Sequence, residues 1–358
     1  MIRRPFVLAA SGVLLAASLA ACSTGPTDSG QSAAGTSSGS ATGSGELPGA
    51  DPDAFPVTID HTYGETTIDA EPERVVTIGW TDTDVALSLG VVPAGAQEIT
   101  WGGNGEGSTT WFEERLQEVG GEEPVRFNAD TELPVTDIAE IAPDLILATN
   151  SGLTQEQYDK LSDIAPVVAY PGDPWLTPWQ DSVEMVGEAL GRSEAADIVV
   201  DETEQRIEQA KQDHPQLEGT SFLVTGLYRS QGYAQIPVYG PGDSRPQMLK
   251  QLGMVDAPVV DEVVPEGEFY ANVSAERAAD LESDFVFNFG DAPETFQEIT
   301  DDELVGQIPA IESGHWVNLT DQPLGLTFSA PTPLSLPYFL DEVVPDIATA
   351  IDGEPVNH

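Results

Sequence analysis

Apolar and polar positions alternate with a period of two across Val57-Thr58-Ile59-Asp60-His61 and again from Glu65 to Ile68, with Gly64 between the two runs. That alternation predicts two short strands joined by a turn. The next apolar run, Arg74-Val75-Val76-Thr77-Ile78-Gly79-Trp80, is nearly continuous, as expected of a buried strand. A helix follows, with Asp82 or Thr83 as its cap and Val85 to Leu89 in its apolar stripe. The polar, aromatic-bearing loop between this strand and helix is where open α/β sheets bind ligands.

Two stretches recur further on. Leu89-Gly90-Val91-Val92 is echoed by Leu252-Gly253-Met254-Val255, a helix ending at Gly in each case. Asp137 to Leu147 is echoed by Arg277 to Phe287, a short amphipathic helix running into a buried strand that starts just after Asp144 or Asp284. The pattern predicts two similar Rossmann-like α/β lobes. Between them, Ser193 to Asp213 contains no Gly or Pro, carries a capping signal at Ser193 and stops before Pro215. It reads as one helix of about 20 residues, roughly 30 Å long, and a single helical bridge limits how far the lobes swing.

The chain opens with Arg3-Arg4, an apolar stretch from Phe6 to Leu19, and Leu19-Ala20-Ala21-Cys22, where Cys22 is the only cysteine. A positive end, a short apolar segment, small residues and a thiol together resemble a bacterial lipoprotein signal, cut before a lipid-bearing Cys22. The stretch is too short and too interrupted to span a bilayer, which takes roughly 20 mostly apolar residues. An ordinary secretory signal with an incidental Cys is the competing reading, although a lone Cys has no disulfide to make. Beyond Cys22 the chain is Ser, Gly, Thr, Ala and Asp with almost no large apolar side chain, a composition suited to a disordered tether. The expected organisation is a signal over 1–21, a tether over 22–54, a first lobe over 55–192, a connecting helix over 193–214 and a second lobe over 215–358. The folded body would sit on the outer face of the cell membrane.

Charge narrows the partners. The formal charge is −48 at pH 7, and losing Arg3 and Arg4 takes the 13 basic residues to 11 against 61 acidic ones. Such a surface repels nucleic acid and anionic headgroups. The acids are spread along the chain without a long block, as in a solvated surface.

Aromatic residues in predicted loops give the clearest local signal. Trp80 ends a strand, Trp101 and Trp111 flank Gly102-Gly103-Asn104-Gly105-Glu106-Gly107, and Trp175 and Trp179 follow Pro171-Gly172-Asp173-Pro174. Rings converging with a few polar groups line clefts for bulky, partly apolar ligands. Trp80, Trp101 and Trp111 are the candidates, because their neighbours are polar and Gly-rich. Trp179, at a helix start, reads as core. In the second lobe Tyr228 and Arg229 follow the buried strand Phe222-Leu223-Val224-Thr225, at the point where a strand meets the cleft. An arginine fork matches carboxylate, catecholate or hydroxamate oxygens, and in so acidic a chain an ordinary salt bridge is the even alternative for Arg229. Tyr239 and Arg245, in Tyr239-Gly240-Pro241-Gly242-Asp243-Ser244-Arg245, form a second candidate.

His61, His214, His315 and His358 show no metal-site spacing, and His61 beside a turn reads as a surface residue. There is no Gly-x-Ser-x-Gly elbow, phosphate loop, His-Glu-x-x-His pair or free catalytic Cys. An enzyme is therefore disfavoured, a carboxylate-pair hydrolase being the form one would take.

Glu71-Pro72-Glu73-Arg74-Val75-Val76, Leu89-Gly90-Val91-Val92-Pro93, Ala142-Pro143-Asp144-Leu145-Ile146, the helical bridge and Pro333-Leu334-Ser335-Leu336-Pro337-Tyr338 occur in a telling order and spacing. Over residues 55–352 the chain resembles the iron-siderophore and cobalamin class of ABC-transporter substrate-binding proteins. The resemblance implies the class III periplasmic-binding-protein fold, with a ferric siderophore held in the cleft between two lobes. It implies a monomer that does no chemistry and hands its ligand to a membrane permease driven by a cytosolic ATPase. The Fe(III) arrives already wrapped, so no metal ligands are needed, nor any cofactor besides the lipid on Cys22.

The same resemblance implies that Phe328, just before Ala330-Pro331-Thr332-Pro333, adjoins a loop facing the cleft, and that a carboxylate on each lobe docks against permease arginines. Glu276 in Val273-Ser274-Ala275-Glu276-Arg277 matches that pattern; the first-lobe equivalent is Thr136, with Asp137 or Glu132 as substitutes. Haem or cobalamin carriers of the same fold, with Tyr228 or Tyr233 facing haem iron, are the alternatives, as is a sensor that does not transport. The acidic field favours a neutral or cationic ligand such as a ferric hydroxamate, within the reach of about 10 Å that salt allows.

Overall fold

The computed structural model describes residues 47–358, so Cys22 and most of the expected tether lie outside the described residues. β1 (Val57–His61) and β2 (Gly64–Ile68) pair antiparallel, His61 opposite Gly64, and Ile59 and Ile68 turn inward as the alternation predicts. His61 is not the surface residue expected. Its Nε2 lies 2.9 Å from the Thr66 hydroxyl, its ring packs on Tyr63 and Tyr158, and burial lowers its pKa.

β3 (Val75–Thr77), β4 (Gly95–Gln97), β5 (Val125–Phe127), β6 (Leu145–Ala148) and β7 (Val167–Ala169) form a parallel sheet in the order β5-β4-β3-β6-β7. α1 (Asp82–Ser88), α2 (Thr110–Val119), α3 (Val135–Ile141) and α4 (Gln155–Ser162) make the crossovers. The chain leaves β3 towards β4 and β5, then returns to the other side of β3 at β6. The order therefore reverses above the C-terminal ends of β3 and β6, where a crevice opens in such sheets.

After α5 (Trp179–Ala189), α6 (Ser193–Asp213) runs 21 residues as one helix, with Ser193 as its first residue and no side chain capping it. The second sheet contains β8 (Ser221–Thr225), β9 (Gln235–Tyr239), β10 (Val255–Asp256), β11 (Tyr270–Ser274), β12 (Phe285–Phe289), β13 (Trp316–Leu319) and β14 (Val356–Asn357). Its order is β11-β9-β8-β12-β13-β14, with β10 beside the start of β8. β9 alone runs against its neighbours. α7 (Ser244–Gln251) connects β9 to β10.

The internal repeat has a physical basis. The Asp144 carboxylate accepts from the amides of Glu73 and Arg74 at 2.8 and 2.9 Å, which pins the start of β3 beside β6. The Asp284 carboxylate accepts from the Ser221 amide at 2.9 Å and so pins β8 beside β12. Gly90 and Gly253 both take left-handed φ, 79° and 91°, where each repeat's helix ends. The second copy departs at Ala275–Asp280, a 3₁₀ turn where an amphipathic helix is expected.

One apolar cluster runs through Val75 and Leu147 of the first sheet, Val186 of α5, Val199 and Ile207 of α6, and Phe222 and Phe287 of the second. The bridge is thus packed along its length rather than slung between lobes. Residues 47–54 also depart from expectation: Leu47 and Phe55 supply apolar surface that docks this end of the tether on the body. Leu47 packs on the shared cluster, and the Asp51 amide donates to the Gly191 carbonyl at 2.8 Å. Gly191 sits at φ 66°, and a Cβ there would meet the Phe55 ring at 2.6 Å. Only glycine suits that corner between α5 and α6.

Candidate functional site

The first wall of the site is built at the reversal point. Beyond β3 and β6 the ladder continues, with Ile78 N–H donating to the Leu147 carbonyl and Trp80 N–H to the Asn150 carbonyl at 3.0 Å. Asp82, in the first turn of α1, accepts from the Thr149 amide and hydroxyl and so clips the β3–α1 turn to the end of β6. Gly79 is required here, since a Cβ would lie 2.0 Å from an Asp82 carboxylate oxygen. Burial pushes the Asp82 carboxyl up to about 6, against the Thr149 hydrogen bonds that lower it.

This frame leaves Trp80 half-buried, its ring 5.7 Å from that of Trp175. Trp175 is 47% exposed, adopts the left-handed φ of 65° that non-glycine residues rarely take, and lays its indole against Gly152. Trp101 packs against Gly325 and Leu326 of the helix Gln322–Ser329, so it bridges the lobes. Trp111 is interior: it is 5% exposed, and its Nε1 donates to Asp84 at 2.6 Å.

The second wall rises from β9. The turn after Tyr239 places Asp243 at the cap of α7, where its carboxylate accepts from the Arg245 amide at 2.9 Å and pairs with Arg245 Nη1 at 2.8 Å. Arg245 Nε donates to the Ser329 hydroxyl at 3.1 Å, and the guanidinium lies 4.4 Å over the Tyr239 ring. Three groups hold the fork, while Nη2 has no protein partner among the described residues. Burial raises the Asp243 pKa more than Arg245 lowers it. Tyr228 stands beside this pair, and burial, then the neighbouring Tyr239, pushes its phenol up to about 12. Tyr270, paired with Tyr239 across β9 and β11, and Phe269 extend the wall; they are 40% and 45% exposed. The walls meet at a narrow crevice, lined by Asn150, Trp175 and Thr177 on one side and Gly242, Ser244 and Gln247 on the other.

Of the residues predicted from sequence, Trp80, Trp101, Tyr228, Tyr239 and Arg245 stand on or beside these walls. Three do not. Phe328 is fully buried, stacked on Phe339 at 5.0 Å and on Phe289 at 5.6 Å, because its helix turns that face into the shared apolar cluster. Trp111 is likewise taken by the core. Arg229 points its Nε at Glu298, 3.1 Å away, because its backbone sits in a 3₁₀ turn held by Asp291 rather than in the strand end. Trp179 is core as expected. Trp175, Asn150, Asp243, Phe269 and Tyr270 were not singled out. The signal for Trp175 and Phe269 lay in their turns, after Gly172-Asp173-Pro174 and Pro265-Glu266-Gly267-Glu268.

Glu276 and Asp137 are both exposed, each in the first turn of the helical segment before a central strand, β12 or β6.

Residues 75–323 match a family model described as periplasmic binding protein. A probable siderophore-binding lipoprotein of Bacillus subtilis, YfiY, is 25% identical over 241 residues, covering 65% of this chain and 68% of the relative. Among solved structures, Streptococcus pneumoniae PiaA in complex with ferrichrome superposes with a TM-score of 0.78 at 34% identity, over 83% of this chain and 99% of that one. A periplasmic solute binding protein from Mycobacterium smegmatis gives 0.70 at 30% identity, over 82% and 98%.

Proposed function

The chain belongs to the periplasmic binding protein family, and from that premise we propose that it captures a ferric siderophore, of the hydroxamate class, between its two walls. It hands the chelate to an ABC permease and performs no chemistry on it. The observation that carries this reading is Arg245, oriented by Asp243, Ser329 and Tyr239 with one nitrogen to spare, over the Tyr239 and Phe289 rings. A pre-oriented guanidinium suits the oxygens of a ferric hydroxamate, and indole and phenol faces suit its apolar shell. The 34%-identical neighbour bound to ferrichrome supports the same ligand class. A charge of −48 disfavours a trianionic catecholate.

Haem is the weaker reading. The Tyr233 hydroxyl is already engaged, donating to Glu298 at 3.0 Å, and Tyr228 packs beside Tyr239 against the shared apolar cluster. Export as a lipoprotein anchored through Cys22, and docking on the permease through Glu276 and Asp137, complete the proposal. The test is a tryptophan-fluorescence titration of residues 47–358 with ferric hydroxamate, catecholate and citrate complexes, haem and cobalamin. Saturable quenching by a ferric hydroxamate, absent with its iron-free form, is expected. Binding of haem or cobalamin alone would overturn it.

A further inference from the structure

Asn150 follows the last residues of β6 at the reversal point, and its backbone carbonyl is used by Trp80. Its side chain is not used in the same way. The residue is 8% exposed, yet Oδ1 is buried with no hydrogen-bond partner. Buried polar atoms are nearly always paired, and an orphan costs stability that an apolar residue of similar shape would restore. Asn150 borders the crevice between the walls, as does Trp175 with its strained left-handed backbone. Strain and an unpaired acceptor at one spot are the marks of a site organised for something other than stability.

The partner it lacks is defined by its surroundings. Oδ1 is an acceptor, so the partner is a donor. Across the crevice, Gln247 spends its Nε2 on the Gly242 carbonyl, and the Ser244 hydroxyl donates to the Ser329 carbonyl. The Ser244 hydroxyl, its one proton spent, is left with acceptor lone pairs only, while Gln247 keeps its acceptor oxygen and one N–H. No carboxylate lines this crevice, so a cationic donor gains nothing here over a neutral one.

We infer that Asn150 is a specificity residue, and that the crevice takes a neutral N–H or O–H of the chelate's organic scaffold while Arg245 takes the oxygens around iron. The inference deepens the siderophore reading and rests on it. It predicts preference for hydroxamates whose scaffold carries amide donors, as a peptide ring does.

The experiment is Asn150→Leu, with Asn150→Asp beside it, measured for ferrichrome affinity and for ligand-free thermal stability. Asn150→Leu is expected to weaken ferrichrome binding about tenfold while leaving the free protein as stable or more stable; Asn150→Asp, which keeps an acceptor, is expected to bind more tightly than Asn150→Leu. Loss of affinity together with loss of stability would make Asn150 structural and overturn the inference. Unchanged affinity in Asn150→Leu would assign Oδ1 to water and also overturn it. Failure of the unmodified protein to bind any ferric hydroxamate is a separate result, which removes the parent reading first.

Discussion

The Thr332 hydroxyl donates to the buried carboxylate of Asp84 at 2.9 Å, joining the first helix of one lobe to the far end of the other across 248 residues of chain. The same carboxylate oxygen accepts from Trp111 Nε1. Thr332→Val removes one of these donors and leaves the acceptor buried, an expected loss of about 1–3 kcal/mol. Chemical denaturation of the ligand-free protein measures it.

Burial pushes both Asp82 and Asp84 up to about 6. Between about pH 4 and 6 the folded state therefore holds protons that the unfolded chain releases, and the contribution of these groups to stability falls as pH rises through that window. Asp84→Asn keeps an oxygen for Thr332 and Trp111 without the buried charge. Its stability at pH 7 is expected to equal or exceed that of the unmodified protein, with a shallower change between pH 4 and 6 in a melting series.

Arg245 and Arg229 offer a matched pair. Arg245→Ala is expected to weaken ferric hydroxamate binding by tenfold or more, and Arg245→Lys to recover little, since lysine has no fork. Arg229→Ala is expected to stay within about twofold, the range of a side chain already engaged with an exposed acid. Equal losses in a fluorescence titration would move the site towards Arg229.

Tryptophans separate in the same way. Trp111→Ala and Phe328→Ala empty buried space and are expected to cost about 3–5 kcal/mol. Trp175→Ala removes a half-exposed ring and is expected to reduce binding with little change in melting temperature.

Docking is separable from capture. Glu276→Arg and Asp137→Arg are expected to leave solution binding intact and to lower uptake of the radiolabelled chelate by cells, because both acids are exposed and stand apart from the crevice.

The parallel first sheet, the long helix and the repeated Asp before a central strand were legible because each rests on local pattern: continuous apolar runs, a stretch free of Gly and Pro, a carboxylate beside backbone amides. Arg245 and Tyr239 were legible as a Gly-rich turn holding a cation and a ring. For Arg229 the salt-bridge alternative prevailed, with Glu298 supplied from 69 residues away, and Phe328 was misread because the rings that bury it, Phe289 and Phe339, lie outside its local pattern. Asn150 left no mark at all, since what distinguishes it is a missing partner, and a sequence does not display which atoms stay unpaired.

Asp51 ties the start of the folded body to Gly191, beyond the far end of α5, whereas the start of that helix follows Thr177, which lines the crevice. About 16 Å of helix thus separates the mouth from the point of attachment. Residue 47, where the described chain begins, therefore joins the body on the side away from the crevice, so a segment attached there leaves the mouth uncovered.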